Sequence, residues 1–366
     1  MTLIVDGTTG VTFNDSSLQG AAASPYVLKN RIINGDMRID QRNAGASITP
    51  TDGQYTVDRW YADLTAASKF TVSQNAGSVT PPAGFVNYLG VTSSSAYSIS
   101  ATDIFTITQK IEGYNISDFA WGTANAKTVT LSFWVRSSLT GTFGGALRNN
   151  GNSRNYPFTY SIPTANTWTQ ISVTIAGETS GTWLTTNGNG LAVAFGLGVG
   201  STYSGTAGAW TSSTAFSATG SVSVVGTNGA TFYITGVQLE IGTSATPFER
   251  RLYGQELANC QRYYQLIDHL SLSAARGTTS IETSFMFPVW MRTAPTIDSS
   301  VGQGYQIYDA FGNAFTQSSF NSVFAVNGAT QKGAFISFGN FTGLTQGRTY
   351  VTNAANVGKF GISAEL

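Results

Sequence analysis

Between residues 28 and 250, apolar side chains recur at every second position in short runs separated by Gly, Pro, Asn and Ser. That period of two marks half-buried β-strands. The runs fall at Lys69–Val72, Val86–Val91, Ile104–Ile111, Val129–Arg136, Gln170–Ile175, Leu191–Val199 and Thr231–Leu239. In Ile104–Ile111, Phe105, Ile107, Gln109 and Ile111 face one way while Ile104, Thr106, Thr108 and Lys110 face the other. Seven or eight strands at this spacing predict an all-β chain with a central jelly-roll-like β-sandwich. Trp60, Trp134 and Trp168 sit within or beside such runs and are expected in its core.

The period changes once. Within 230–265, Phe232, Ile234, Val237 and Leu239 read as a strand with a bulge at Gly236, followed by a turn at Gly242–Pro247. After Gly254, Leu257, Cys260, Tyr263 and Tyr264 recur at helical spacing. A short connecting helix is therefore expected over 251–265. It divides the sandwich at 28–250 from a smaller C-terminal β-sandwich at 266–366. There, Pro288 stops a strand, and later runs lie at Tyr305–Tyr308, Ser322–Val326, Phe335–Phe341 and Lys359–Ile362. At the other end, TLIV and VTF flank Asp6-Gly7 and Gly10 as a small hairpin within an extended arm, 1–27.

Composition narrows the function classes. The 366 residues carry 19 basic and 19 acidic side chains, 10% charged in all, and 41 glycines. With no basic stripe to neutralise phosphates, a nucleic-acid partner is not expected. No apolar run approaches the roughly 18–20 residues needed to cross a bilayer, so membrane insertion is not expected either. The N-terminus lacks a basic region and cleavage site, and one cysteine, Cys260, cannot build a disulfide framework. Both points fit synthesis in a reducing cytoplasm.

Several phrases resemble bacteriophage tail-fibre and related virion appendage proteins. They are NRIINGDMRIDQRNAGASI and YTVDRWY within 30–61, FWVRSS at 133–138, and TGVQLEIGTSATPFERR followed by CQRYYQ. GTTGVTF with its polar continuation, and FPVWMRTAPTI further on, look like parts of the same proteins. The resemblance implies a structural protein of the virion, made in the host cytoplasm. Its arm, 1–27, would attach to another virion protein, and the subunits would form a homotrimer that binds host-surface glycan or lipopolysaccharide. A head, collar or baseplate appendage with a purely structural role is the alternative. A glycan hydrolase and a free carbohydrate-binding module are the readings from other classes.

Candidate chemistry is sparse. Tyr156, Trp183, Tyr203 and Trp210 lie in loop-like stretches rich in Asn, Ser and Gly, where a ring face could stack on a sugar. The same rings could instead pin loops or pack across subunits; Trp290 is open between a tip pocket and a subunit seam. Glu249, Arg250 and Arg251, with Leu257, Cys260 and Tyr264, are expected at a domain junction or subunit interface, and the guanidinium forks could also meet an anionic glycan. Asp103, Glu112, Asp118 and Glu178 follow no hydrolase spacing, and the lone histidine, His269, has no nucleophile elbow beside it. No enzyme activity and no cofactor are expected; bound calcium stays open, although no DxDxDG loop is present.

Overall fold

The structure, a computed structural model, describes residues 28–267, 272–298, 306–316, 329–352 and 360–366. It also describes the backbones of four short strands elsewhere. His269 lies outside the described residues. In the arm, β1 (Ile4–Asp6) pairs antiparallel with β2 (Gly10–Thr12), which pairs with β3 (Leu18–Gln19), so the hairpin is present. The rest of 1–27 lies outside the described residues.

The central unit is a jelly-roll-like sandwich of two five-stranded antiparallel sheets. Its strands are β4 (Trp60–Leu64), β5 (Phe70–Gln74), β6 (Leu89–Ser93), β7 (Ile104–Glu112), β8 (Val129–Ser137) and β9 (Gly141–Arg148). They continue as β10 (Asn155–Ile162), β11 (Thr169–Ile175), β12 (Asn189–Val199), the short parallel pair β13 (Ser204–Gly205) and β14 (Ser217–Ala218), and β15 (Thr231–Ile241). One sheet has the order β10-β9-β12-β7-β4 and the other β11-β8-β15-β6-β5. The chain repeatedly crosses between them, so each strand faces another of distant sequence. Phe133 from β8 and Phe195 from β12 meet edge to face across the layer, their centroids 5.0 Å apart. Burying each such ring contributes about 1.5–3 kcal/mol.

The alternation read along Ile104–Ile111 is what packs this core: Phe105, Ile107 and Ile111 are buried in it. By the same rule Trp60 is fully buried, whereas Trp134, between core residues Phe133 and Val135, must face outward and is half-buried. Trp168 also lies outside the core, its ring 5.6 Å from Tyr88 and its indole N–H on the Thr80 carbonyl. The expected core position thus holds for Trp60 and is corrected for Trp134 and Trp168.

Strands β4, β9 and β10 were not foreseen. Four of the eight positions of GTFGGALR are Gly or Ala, a composition that disfavours strands by itself. The segment following β12 packs over this strand so closely that a Cβ at Gly144 would lie 2.6 Å from Ser217 Oγ. β10 carries Pro157, which a sheet tolerates because β10 is an edge strand.

A helix follows, α1 (Tyr253–Gln261). It ends earlier than expected, because Tyr264 already begins β16 (Tyr264–Ile267). Two adjacent tyrosines favour a strand where tertiary pairing is on offer. The C-terminal unit continues with β17 (Leu272–Ala275), β18 (Ile281–Met286), β19 (Thr296–Asp298), β20 (Gln306–Tyr308) and β21 (Ala314–Thr316). It ends with β22 (Phe324–Val326), β23 (Gly333–Phe338), β24 (Thr349–Thr352) and β25 (Phe360–Ser363). A three-stranded sheet, β16-β25-β19, faces a seven-stranded one, β21-β20-β24-β17-β18-β23-β22, over a separate core. This is the smaller sandwich expected from the sequence.

Candidate functional site

Four phrases far apart in the sequence converge between the two units. The starting point is the bulge in β15. Gly236 has φ +62, a region that favours glycine, and the β15–β8 register slips between Thr235 and Gln238. The main chain freed there pairs instead with residues 30–35. Val237 N–H donates to the Gly35 carbonyl at 2.9 Å, Arg31 N–H to the Leu239 carbonyl at 2.9 Å, and Leu239 N–H to Asn30 Oδ1 at 3.0 Å.

Asn34, fully buried, then uses every polar group it has. Its amide donates to the carbonyls of Ile39 (2.8 Å) and Asp58 (2.9 Å), and its Oδ1 accepts from Ile39 N–H (3.0 Å). Its carbonyl accepts from the Trp60 indole at 3.1 Å, and its own N–H meets the Glu256 carboxylate. Gln109 on β7 exchanges two hydrogen bonds with the Ile33 main chain, at 2.9 and 2.8 Å.

The junction residues named from the sequence sit here. Glu249 accepts Asn30 N–H at 2.7 Å and lies 3.5 Å from Arg251. Arg251 also binds Glu256 at 3.1 Å and the carbonyls of Asn30 and Ile32. Arg250 differs: it is exposed, with its guanidinium 4.7 Å from the Phe85 ring. Cys260 and Tyr263 are buried beneath α1 with Ile33 and Ile39, and Leu257 packs at the margin. Burial pushes the Cys260 thiol well above its usual range.

Beyond α1 the next two tyrosines are each covered by an arginine. Arg59 stacks on Tyr263 and Arg42 on Tyr264, both 3.6 Å from the ring centroid. Both guanidinium groups share Glu365, Arg42 at 3.0 Å, and Arg42 also lies 3.6 Å from Asp58. Glu112, at the end of β7, accepts from Arg262 (2.6 and 2.9 Å) and from the Tyr263 hydroxyl (2.6 Å). Arg292 holds the Ala364 and Glu365 carbonyls at 2.7 Å each and that of Asn187 at 2.8 Å. Sandwich, helix and C-terminal unit thus share one buried polar network.

A cleft of about 710 Å³ opens beside this network. The loop 42–55 supplies one wall, with Arg42, Asn43, Ile48, Thr51, Asp52, Gln54 and Tyr55. Strands β19 and β25 supply the other, with Thr296, Ile297, Asp298 and Ser363. Asp52 is fixed by accepting Leu64 N–H at 3.0 Å, and Gln54 by accepting Thr51 N–H at 2.9 Å. The Tyr55 ring already has two neighbours: Tyr61, tilted at 46° with its centroid 5.4 Å away, and the Arg42 guanidinium at 5.0 Å. Its size is that of a ligand pocket, and its lining offers hydroxyls, amides and carboxylates beside two isoleucines.

The aromatic residues proposed for stacking are distributed differently. Tyr156 and Trp183 are buried, and Trp210 is half-buried. They meet edge to face around Trp121: Trp121–Trp183 at 4.8 Å, Trp121–Trp210 at 5.2 Å and Tyr156–Trp210 at 5.2 Å. Each indole N–H is bound by a main-chain carbonyl: Trp121 on Lys127, Trp183 on Ser180, Trp210 on Ala176. Tyr203 is elsewhere, paired with Phe216. Of the rings offered for stacking, Tyr156, Trp183 and Trp210 pack with Trp121 into one knot, the loop-pinning arrangement given as the alternative, and Tyr203 stands apart. Buried indoles need both ring contacts and an acceptor, and the knot supplies both.

Each carboxylate weighed for hydrolysis has its own donors. Asp103 is held by Thr65 and Ser100, Asp118 by Arg31, Glu112 as above, and Glu178 by Arg154 and Ser180. Among the described residues, no group of three or more His, Cys, Asp or Glu gathers where it could hold a metal ion. No helix among the described residues is long and apolar enough to cross a membrane.

No protein-family model matches the chain, and neither does any curated protein. Among solved structures, the chain is similar to the enzymatically active domain of bacteriophage CBA120 tailspike protein 4. That match has 15% identity and TM-score 0.33, and covers 61% of this chain but only 22% of the other. A CBM4 structure matches at 14% identity and TM-score 0.29, covering 57% of this chain and 98% of the other. The family 11 carbohydrate-binding module from Clostridium thermocellum matches at 10% identity and TM-score 0.27, covering 56% and 100%. At these scores the likenesses assign no ligand to this chain; its fold rests on its own two sandwiches.

Proposed function

We propose that the chain is a virion appendage subunit of tail-fibre type, assembled as a homotrimer and attached through residues 1–27. It binds host-surface glycan or lipopolysaccharide without chemically altering it. One observation carries this reading: the phrases at 30–61, 235–251 and 260–265, which resemble appendage proteins, fold together into a single buried joint. A joint tied by Glu112, Glu256 and Glu365 suits a part that must present one module rigidly on another. Rigid presentation matters for weak sugar contacts, because avidity is lost when geometry forbids simultaneous engagement.

The test is adsorption. Purified protein should bind host cells and compete with virions for them, leaving polymer length unchanged, and its solution mass should be three times that of one chain. Normal adsorption by virions lacking this chain would overturn the receptor-binding role. Shortening of the polymer would point to a hydrolase instead.

A further inference from the structure

We propose that the cleft between loop 42–55 and strands β19 and β25 is a saccharide site that selects uncharged or amino-bearing sugar units over uronate- and phosphate-bearing ones. The proposal rests on the glycan-binding reading above and adds its place and its chemistry. Three observations carry it.

First, the cleft is composite. One wall comes from the loop before β4 and the other from the edge strand β19 and the end of β25, more than two hundred residues later. The buried network directly behind it fixes the two walls relative to each other, so the cleft is preformed rather than assembled by ligand. Arg42 belongs to both, stacked on Tyr264 behind and lining the cleft in front.

Second, its lining matches a sugar ring. Asn43, Thr51, Gln54, Thr296 and Ser363 offer neutral donors and acceptors, while Ile48 and Ile297 offer apolar surface for the C–H face. Asp52 is oriented by the Leu64 N–H of β4 and Gln54 by the Thr51 N–H of its own loop, which spares a ligand that ordering cost. Tyr55 is not needed as a stacking platform; its ring already packs with Tyr61 and the Arg42 guanidinium.

Third, the charge in the cleft has one effective sign. Its cation, Arg42, has a 6% exposed side chain: Nη2 binds Glu365 at 3.0 Å, and Nη1, buried and without a hydrogen bond, lies 3.6 Å from Asp58. The cleft's carboxylates are Asp52 and Asp298, and Asp52 lies on its exposed rim. An incoming carboxylate or phosphate would meet two like charges and no exposed cation of the lining. A sugar hydroxyl or ammonium would find acceptors.

The experiment uses the full chain on a printed panel of bacterial surface saccharides in three groups: neutral, amino-bearing, and uronate- or phosphate-bearing. The wild type is expected to bind members of the first two groups at least tenfold more tightly than the third. Two variants follow. Thr296→Arg projects a long cation into the cleft from an exposed edge position and should weaken neutral-sugar binding at least tenfold. Asp52→Asn keeps the acceptor for Leu64 N–H and should narrow the discrimination against acidic saccharides. Unchanged thermal unfolding in both separates lost binding from lost fold.

Preference for acidic saccharides, or variants that bind like the wild type, would overturn the cleft assignment while glycan binding itself stands. Trp290→Ala, outside the cleft lining, should bind normally; loss there with the cleft variants intact would move the site to the surface around Trp290 and Lys332. Binding of no saccharide and no cell by the wild type would overturn both readings.

Discussion

Removing one carboxylate, Glu365, should detach the C-terminal unit from the sandwich. Its side chain is 6% exposed and is shared by Arg59 (1%) and Arg42 (6%). After Glu365→Ala, Arg42 retains Asp58 at 3.6 Å, but Arg59 keeps only the Lys110 carbonyl and the Tyr263 ring. Leaving a buried charge without its partner costs about 3–5 kcal/mol. For a unit of this size, 1 kcal/mol corresponds to roughly 4–8 °C in melting temperature, so a drop of ~12 °C or more is expected. Glu365→Gln, which keeps an acceptor for Arg59, should fall between wild type and Ala. The control is Arg276→Ala, which breaks an ion pair whose arginine is 67% exposed. Such exposed pairs contribute less than about 1 kcal/mol. Scanning calorimetry of the three variants checks the order. A Glu365→Ala shift no larger than that of Arg276→Ala would refute the argument that the buried network holds the joint.

Gly236→Ala should lower the urea midpoint by the equivalent of about 1–3 kcal/mol, because φ +62 strains an L-residue and the new Cβ would lie 2.7 Å from Phe85. An unchanged midpoint would show the bulge to be dispensable. Trp183→Ala should cost about 3–5 kcal/mol as a buried aromatic truncation, measured by urea unfolding, whereas a freely exposed ring would cost almost nothing. Burial holds Cys260 and Tyr160 well above their usual values, and Tyr263 at about 12, so between the ordinary and the raised value the folded state binds more protons than the unfolded one. Stability should therefore be full below about pH 8 and fall towards pH 10.5, by up to about 1.4 kcal/mol per pH unit for each group. Urea midpoints at the two pH values test this, and folded Cys260 should resist iodoacetamide until the chain unfolds.

The period-two runs carried the fold class, because burial of one strand face needs nothing but local alternation; β7, β8 and β12 lie almost where the pattern puts them. The Gly236 bulge was legible for a similar reason, a single glycine interrupting a strong strand. β9 and β10 were illegible because Gly144 and Pro157 are explained only by tertiary neighbours and edge position. The concentrated charges at 249–256 were readable as a junction, yet their partners Asn30, Ile32 and Asn34 lie about 220 residues away. The Trp121 knot escaped because loop-like sequence around Trp183 and Trp210 says nothing about which rings meet. The cleft could not be read at all: its two walls have no shared motif, and only the folded joint brings Asp52 opposite Asp298.

The contact between Asn34 and Glu256 spans 222 residues of chain. Such pairings are late, since loop-closure entropy must be met before they return any stabilisation. On the ribosome, the Asn30–Gly35 segment emerges early and has no β15 to pair with until residues 231–241 have followed it out. Over that interval its main chain lacks the Val237 and Leu239 groups that pair with it in the finished protein. A chain stalled or truncated before residue 231 would therefore expose that unpaired main chain and leave β8 without its β15 neighbour, features that invite pairing with neighbouring chains. The joint that makes the finished protein rigid is thus its longest period of vulnerability during synthesis.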